Sequence, residues 1–200
     1  MYVDFASLQA INSDVRVWLR FDDLDTIPID YPVLYNGDNY VYIHTDVYGD
    51  YSFAGCIFIE ETNMADFEDE KDFSKIIYGH NMKNGTMFEG LRKYQLQGFV
   101  ESSPYFSICT PEETYRYRIF SCFITTTGSF VYQTGFTKDT ESYQAYIDQL
   151  KESSAEDTGI FPSSGQAVAV LSTCAESDSD RRLVVCGVRI GYGDERYAAA

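Results

Sequence analysis

The sequence predicts a mostly β protein: a closed β-barrel of short strands, with an N-terminal helical segment and one helix inserted between late strands. Three observations carry this. From residue 15 onward the chain is a series of short apolar runs separated by turn residues, the pattern of strands in an all-β domain. A single stretch breaks it with helical spacing, because Tyr143, Tyr146, Ile147 and Leu150 recur at i, i+3, i+4 and i+7. Aromatic residues make up 16% of the chain, with 17 Tyr and 14 Phe, side chains that pack well on a pleated surface.

Taken in order, residues 1–11 read as a short amphipathic segment with Phe5, Leu8 and Ile11 at helical spacing. Residues 15–21 alternate as a half-buried strand, and 30–34 lead into the turn Asn36-Gly37-Asp38-Asn39. Strands are expected at 40–44, 55–60 and 75–78, with an acidic loop or helical turn over 64–75. A short helix is expected over 88–94, then strands at 107–110 and 115–126. The helix over about 139–151 follows, with Asp139 or Thr140 as its N-cap, and strands at 167–173 and 182–190 close the order. The domain reading is 1–14 as a helical extension, 15–193 as the barrel domain that carries the chemistry, and 194–200 as a tail, whose Ala198-Ala199-Ala200 resembles an appended piece. With 200 residues the chain can bury a core without disulfide staples.

Acids outnumber bases 31 to 15, a net charge of −16. That argues against nucleic acid as a partner, since a polyanion is repelled. It fits either a cationic partner, such as an amine-bearing peptide, or simply a well-solvated surface. No run approaches the roughly 20 apolar residues of a membrane span. The five Cys (56, 109, 122, 174 and 186) include no C-x-x-C pair, so neither a disulfide framework nor a zinc site is expected, and no metal or other cofactor is called for. Four of them sit within apolar strand-like runs and read as small buried hydrophobes. Cys174 instead ends its run.

A Cys nucleophile needs a base or cationic partner, and the chain holds two His. His80 follows a strand in Tyr78-Gly79-His80-Asn81-Met82, beside a glycine that permits close approach. His44 falls in the expected strand with Tyr40 and Tyr42 on its face, and reads as a packed or surface residue whose loss should matter little. Period-two reasoning puts Val168, Val170, Ser172 and Cys174 on one face, and Arg182, Val184 and Cys186 on one face. The polar connection 175–181 between them suits a hairpin, which would set Cys174 and Arg182 side by side. Arg182 could then hold a developing oxyanion, or pair with an acid of the loop; Arg181 is its rival on the opposite face. Ser172 shares the face of Cys174 and could touch substrate or serve as a strand hydroxyl bonded to backbone.

Leu171-Ser172-Thr173-Cys174, followed eight residues later by Arg182-Leu183-Val184-Val185, resembles the Cys and Arg motifs of the sortases. Tyr78-Gly79-His80-Asn81-Met82 with Gly85-Thr86-Met87-Phe88 is similar to the class B version of the histidine motif, and Asp30-Tyr31-Pro32-Val33 and Ile76-Ile77 resemble other stretches of that class. The resemblance spans about residues 12–190. Val170 stands where a Thr usually opens the Cys motif, and Val17 precedes Trp18 where Gly is common; neither removes a reacting group. The resemblance implies a cysteine transpeptidase with Cys174, His80 and Arg182 as catalytic residues and Ser172, Asn81 and Thr173 near the substrate. It would cleave a C-terminal sorting signal after Thr through a thioacyl intermediate, then pass the acyl group to a peptidoglycan or pilin amine. Its partners would be secreted proteins bearing such a signal. Its place would be the outer face of the bacterial membrane, this sequence reading as a soluble portion whose membrane contact rests on an anchor it does not include. Two other functions remain compatible with the residues: a hydrolytic cysteine endopeptidase, and a non-catalytic acidic surface-binding module.

Overall fold

A computed structural model describes residues 3–175 and 180–191. Eight strands close into a barrel in the order β1-β2-β3-β4-β7-β8-β6-β5. They are β1 (Val15–Phe21), β2 (Asp30–Leu34), β3 (Ile57–Ile59), β4 (Ser74–Tyr78), β5 (Tyr105–Cys109), β6 (Thr114–Thr126), β7 (Val168–Cys174) and β8 (Arg181–Ile190). Three α-helices accompany them: α1 (Phe5–Ile11), α2 (Phe99–Ser102) and α3 (Glu141–Glu152). A 3-10 turn, Glu89–Gln95, takes the place of the short helix expected over 88–94.

The alternation read in β1 is the observed one, with Val15, Val17, Leu19 and Phe21 buried. Val17, Leu19 and Phe21, with Ile77, Phe106, Ile108, Ile119, Leu171, Leu183 and Val185, fill the barrel, while Val15 packs with Phe5 and Leu34. The middle of β7 and β8 is buried on both faces. Val168, Val170, Val184, Cys186 and Val188 point outward and are covered by α3, which explains why these strands read as near-continuous apolar runs. Helix α3 contributes the four residues its spacing announced, Tyr143, Tyr146, Ile147 and Leu150, all buried; each such burial stabilises by about 1.5–3 kcal/mol. Of the two candidate caps, Thr140 is the N-cap, its hydroxyl accepting from the Tyr143 N–H at 3.3 Å. Asp139 lies one residue earlier at φ +58°. In α1 the apolar stripe stops short: Phe5 is buried and Leu8 packs beside it, but Ile11 is exposed.

The strand expected at 40–44 does not form. Residues 35–56 make an excursion of turns between β2 and β3. Its carboxylates bond the backbone locally, Asp38 taking the Tyr40 N–H at 2.8 Å and Asp46 the Tyr48 and Asp50 N–H groups at 2.9 and 3.0 Å. Such bonds compete with a ladder, and of the three alternate residues only Tyr42 is buried. The strand expected over 55–60 shortens to Ile57–Ile59.

A buried polar knot anchors the start of β4. Lys75 donates to Asp72 at 2.7 Å, and Asp72 also accepts from Asn63, from the Met64 N–H and from the Gly135 N–H. Burial pulls the Lys75 ammonium below its usual pKa against the pull of Asp72. Replacing Asp72 with Ala would leave that ammonium buried without its partner, so a loss of about 3–5 kcal/mol is expected, measurable as a lower urea midpoint at unchanged slope.

Candidate active site

Strand pairing alone brings three sequence-predicted residues together. β4 and β7 run parallel, and the last pair in register is Tyr78 with Ser172. His80 and Cys174 each lie two residues beyond that pair, so the two chains deliver them to the same mouth of the barrel. The Gly79 N–H donates to the Ser172 carbonyl at 3.2 Å and continues the ladder one step. β7 and β8 are antiparallel, with Cys174 opposite Arg182. The hairpin read from the sequence therefore has the predicted register, and directly opposed residues stand with Cβ atoms about 4.5–5.5 Å apart. The connecting loop, residues 176–179, lies outside the described residues, and so does any pairing of Arg182 with an acid there. Arg182 Nη1 donates to the Arg181 carbonyl at 3.1 Å. Arg181 is exposed, and Arg182 half-buried.

Cys174, His80 and Arg182 line one cavity of about 580 Å³ together with Ser172, Thr173, Tyr78, Tyr132, Glu60, Asn39 and Ile43. Gly79 is needed at this mouth. A Cβ there would lie 2.8 Å from the Phe88 ring, which packs beneath it in the barrel. His80 Nε2 lies 2.9 Å from the Ile43 carbonyl. A carbonyl only accepts, so Nε2 carries the hydrogen, and Nδ1 is the nitrogen left to exchange a proton. Asn81 spends its side-chain N–H on the Cys174 carbonyl at 2.9 Å, tying the histidine loop to the end of β7. Ser172 exchanges a hydrogen bond of 3.0 Å with the Tyr132 hydroxyl, a side-chain partner where the backbone was one expectation. Thr173 is 3% exposed, with its hydroxyl buried and unbonded among the described residues.

The wall also brings in residues that the sequence did not assign to the site. Phe58, Tyr78 and Tyr132 form an aromatic row, with ring centroids 5.4 and 6.1 Å apart. Tyr132 stands in the connection before α3, a stretch with no apolar period. The Tyr78 hydroxyl donates to Glu60 at 2.8 Å, and burial with that carboxylate pushes its pKa well above the usual tyrosine range. Burial also raises that of Tyr132, while its Ser172 bond and the charge of Arg182 pull the other way. Asp or Glu residues at the rim give no grouping of metal ligands among the described residues.

The cysteines separate sharply. Cys56, Cys109, Cys122 and Cys186 are buried, and Cys174 is half-exposed at the mouth. Burial pushes the Cys56 and Cys122 thiols up to about 12 and that of Cys186 well above its ordinary value. A thiol-reactive probe at neutral pH is therefore expected to modify Cys174 alone in the native protein, because it needs both access and thiolate. Peptide mass mapping after brief labelling checks this; equal modification of a buried Cys would contradict the assigned burial.

A barrel that gathers a thiol, an imidazole and a guanidinium at one mouth holds the groups that cysteine acyl transfer needs, and comparison with known proteins gives the family. The model of the sortase domain matches residues 23–190. Sortase B of Listeria monocytogenes is 34% identical over 186 residues, 92% of this chain and 73% of its own. The crystal structure of Clostridium perfringens sortase B superposes with a TM-score of 0.84 at 27% identity, covering 94% of this chain and all of that one. A Staphylococcus aureus sortase B–substrate complex gives a TM-score of 0.82 at 29% identity, over 93% of this chain and 84% of that one. The chain belongs to the sortase family, the cysteine transpeptidases. These relatives are all class B, and this chain is of the same class.

Proposed function

We propose that Cys174 is the nucleophile, His80 the acid–base and Arg182 the oxyanion donor of a sorting transpeptidase that cuts its substrate after a Thr. The observation that carries this is the alignment of three neighbouring strands, which sets Cys174 between His80 and Arg182 at one open cavity. The Cys174 Sγ attacks the Thr carbonyl carbon, and the C=O electron pair moves to oxygen beside the Arg182 guanidinium. Whatever the resting form of the pair, one proton then resides on His80 Nδ1. It passes to the departing amine as the C–N bond breaks, leaving a thioacyl enzyme. An incoming amine gives a proton back to Nδ1 as it attacks, and the new amide releases Sγ.

Sortases act on sorting signals and amine acceptors. The acceptor is a peptidoglycan or pilin amine, and the acidic surface of the chain favours a cationic partner. Ser172 and Thr173, at the cavity wall, contact the residues before the cut, and Asn81 acts by holding Cys174. The substrates are secreted proteins, so the enzyme works at the outer face of the bacterial membrane. Among the described residues no helix is long and apolar enough to cross a membrane.

The test is turnover of a small library of quenched sorting peptides with and without wall-type amines. One peptide class should be cut after Thr, and ligated product should replace hydrolysed product as amine is added. Cleavage with water as the sole acceptor at every amine concentration would remove the amine assignment and leave a hydrolytic endopeptidase.

A further inference from the structure

The excursion between β2 and β3 places a second imidazole against the first. The His44 and His80 rings lie 5.6 Å apart between centroids and 10° from parallel. Behind His44 sits Phe53, its ring 5.9 Å away at 23°, and Tyr51 flanks it at 6.1 Å and 41°. The adjacent residue supplies the carbonyl that takes His80 Nε2–H. His80 is thus held at its edge by Ile43 and on its face by His44, two consecutive residues of one turn.

That turn is fixed by its own backbone. The Ser52 N–H donates to the His44 carbonyl at 3.0 Å, and the Cys56 N–H to the Tyr42 carbonyl at 3.0 Å. Gly55, at φ +56°, makes the fit possible. A Cβ there would stand 2.4 Å from the Ile43 carbonyl oxygen, the very acceptor of His80. Only a glycine fits there, and it lets the chain turn closely enough to keep this carbonyl and the neighbouring ring in place.

We propose that His44 is a positioning residue for the transfer reaction, its ring fixing the plane of the His80 imidazole so that Nδ1 stays aimed at the reacting atoms. The proposal rests on the acid–base reading of His80. It replaces the expectation that His44 is a bystander, which followed from placing it in a strand. His44 is exposed, and the flanking Phe53 and Tyr51 rings are 69% and 79% exposed, so its seat is set by the backbone bonds of its turn, with those two rings beside it. The consequence is kinetic. Substrate still binds the cavity when the stack is lost, but the proton relay is misaligned, and small misplacements of a catalytic group cost rate steeply. Because the face of the ring does the work, another flat ring should serve.

The experiment compares the parent with His44→Ala and His44→Phe on one sorting peptide, with His80→Ala alongside. His44→Ala is expected to lower kcat about tenfold with KM within about twofold, and His44→Phe to restore kcat to within about threefold of the parent. In the NMR spectrum the His80 Nε2–H resonance should exchange faster with water in His44→Ala and be protected again in His44→Phe. A His44→Ala enzyme with parental kcat, or a His44→Phe enzyme as impaired as His44→Ala, would overturn the proposal. Full activity of His80→Ala would instead overturn the acid–base reading on which it rests, and the NMR protection would still report whether the stack holds the ring.

Discussion

Replacing Cys174 with Ala is expected to abolish peptide cleavage, a loss of about 10⁴-fold or more in kcat, with the fold intact. Sγ is the only atom removed. The Cys174 carbonyl still accepts from Asn81, the pairing with Arg182 is made by backbone, and the half-exposed position leaves no sealed cavity. Thermal midpoints of parent and variant should agree within a few degrees, and no acyl-enzyme mass should appear on incubation with peptide. Cys122→Ala is the control in the opposite sense. Cys122 is 2% exposed and packs in the barrel core, so its loss should cost about 1–3 kcal/mol of stability and leave most of the activity. Substantial turnover by Cys174→Ala would sink the nucleophile assignment whatever the control does.

The second large effect concerns two adjacent arginines. Arg182→Lys is expected to lose about 10²-fold or more in kcat/KM, whereas Arg181→Lys should stay within a few-fold of the parent. Both changes keep the net charge. The difference is position: Arg182 pairs with Cys174 and lines the cavity, and Arg181 pairs with Thr126 and is exposed. A planar guanidinium offers several N–H groups in fixed directions, which a single ammonium on a flexible stem cannot reproduce for an oxyanion. Kinetics of the two variants on one peptide decide the matter. If Arg181→Lys is the crippled enzyme, the side chains exchange faces near the active mouth. If neither is impaired, the oxyanion is held by backbone N–H groups and Arg182 is structural.

What could be read from the sequence, and what could not, divides along physical lines. The pairing of Cys174 with Arg182 was legible because period two and a short polar connection leave a hairpin few registers. Helix α3 was legible because its four buried residues keep one spacing. The stretch around Tyr40, Tyr42 and His44 misled, because aromatic alternation looks like a strand until Asp38 and Asp46 are seen to claim the backbone N–H groups. That error also hid the stack of His44 on His80, a contact between residues 36 positions apart that no local pattern announces. Tyr132 and Glu60 were invisible for the same reason: they meet the cavity only after the barrel closes. A spacing rule sees neighbours along a strand or helix and says nothing of what a loop folds back upon.

The parallel step from β4 to β7 and the antiparallel step to β8 have a consequence for how such an enzyme can change. The three reacting groups are counted off from hydrogen-bonded pairs, so strand length is inherited as a unit. One residue gained or lost inside β7 would turn Cys174 to the other face and end the chemistry. Part of the cavity wall, by contrast, comes from connections: Asn39, Tyr40 and Ile43 before β3, and Thr127 and Tyr132 before α3. Outside the turn from Tyr42 to Cys56 that holds His80, these can lengthen, shorten or be exchanged without touching the count. Retargeting the enzyme to a new peptide is therefore a matter of changing loops on an unchanged set of strands, and a laboratory library would do best to randomise residues 35–41 and the segment carrying Tyr132, sparing the turn from Tyr42 to Cys56 that holds His80.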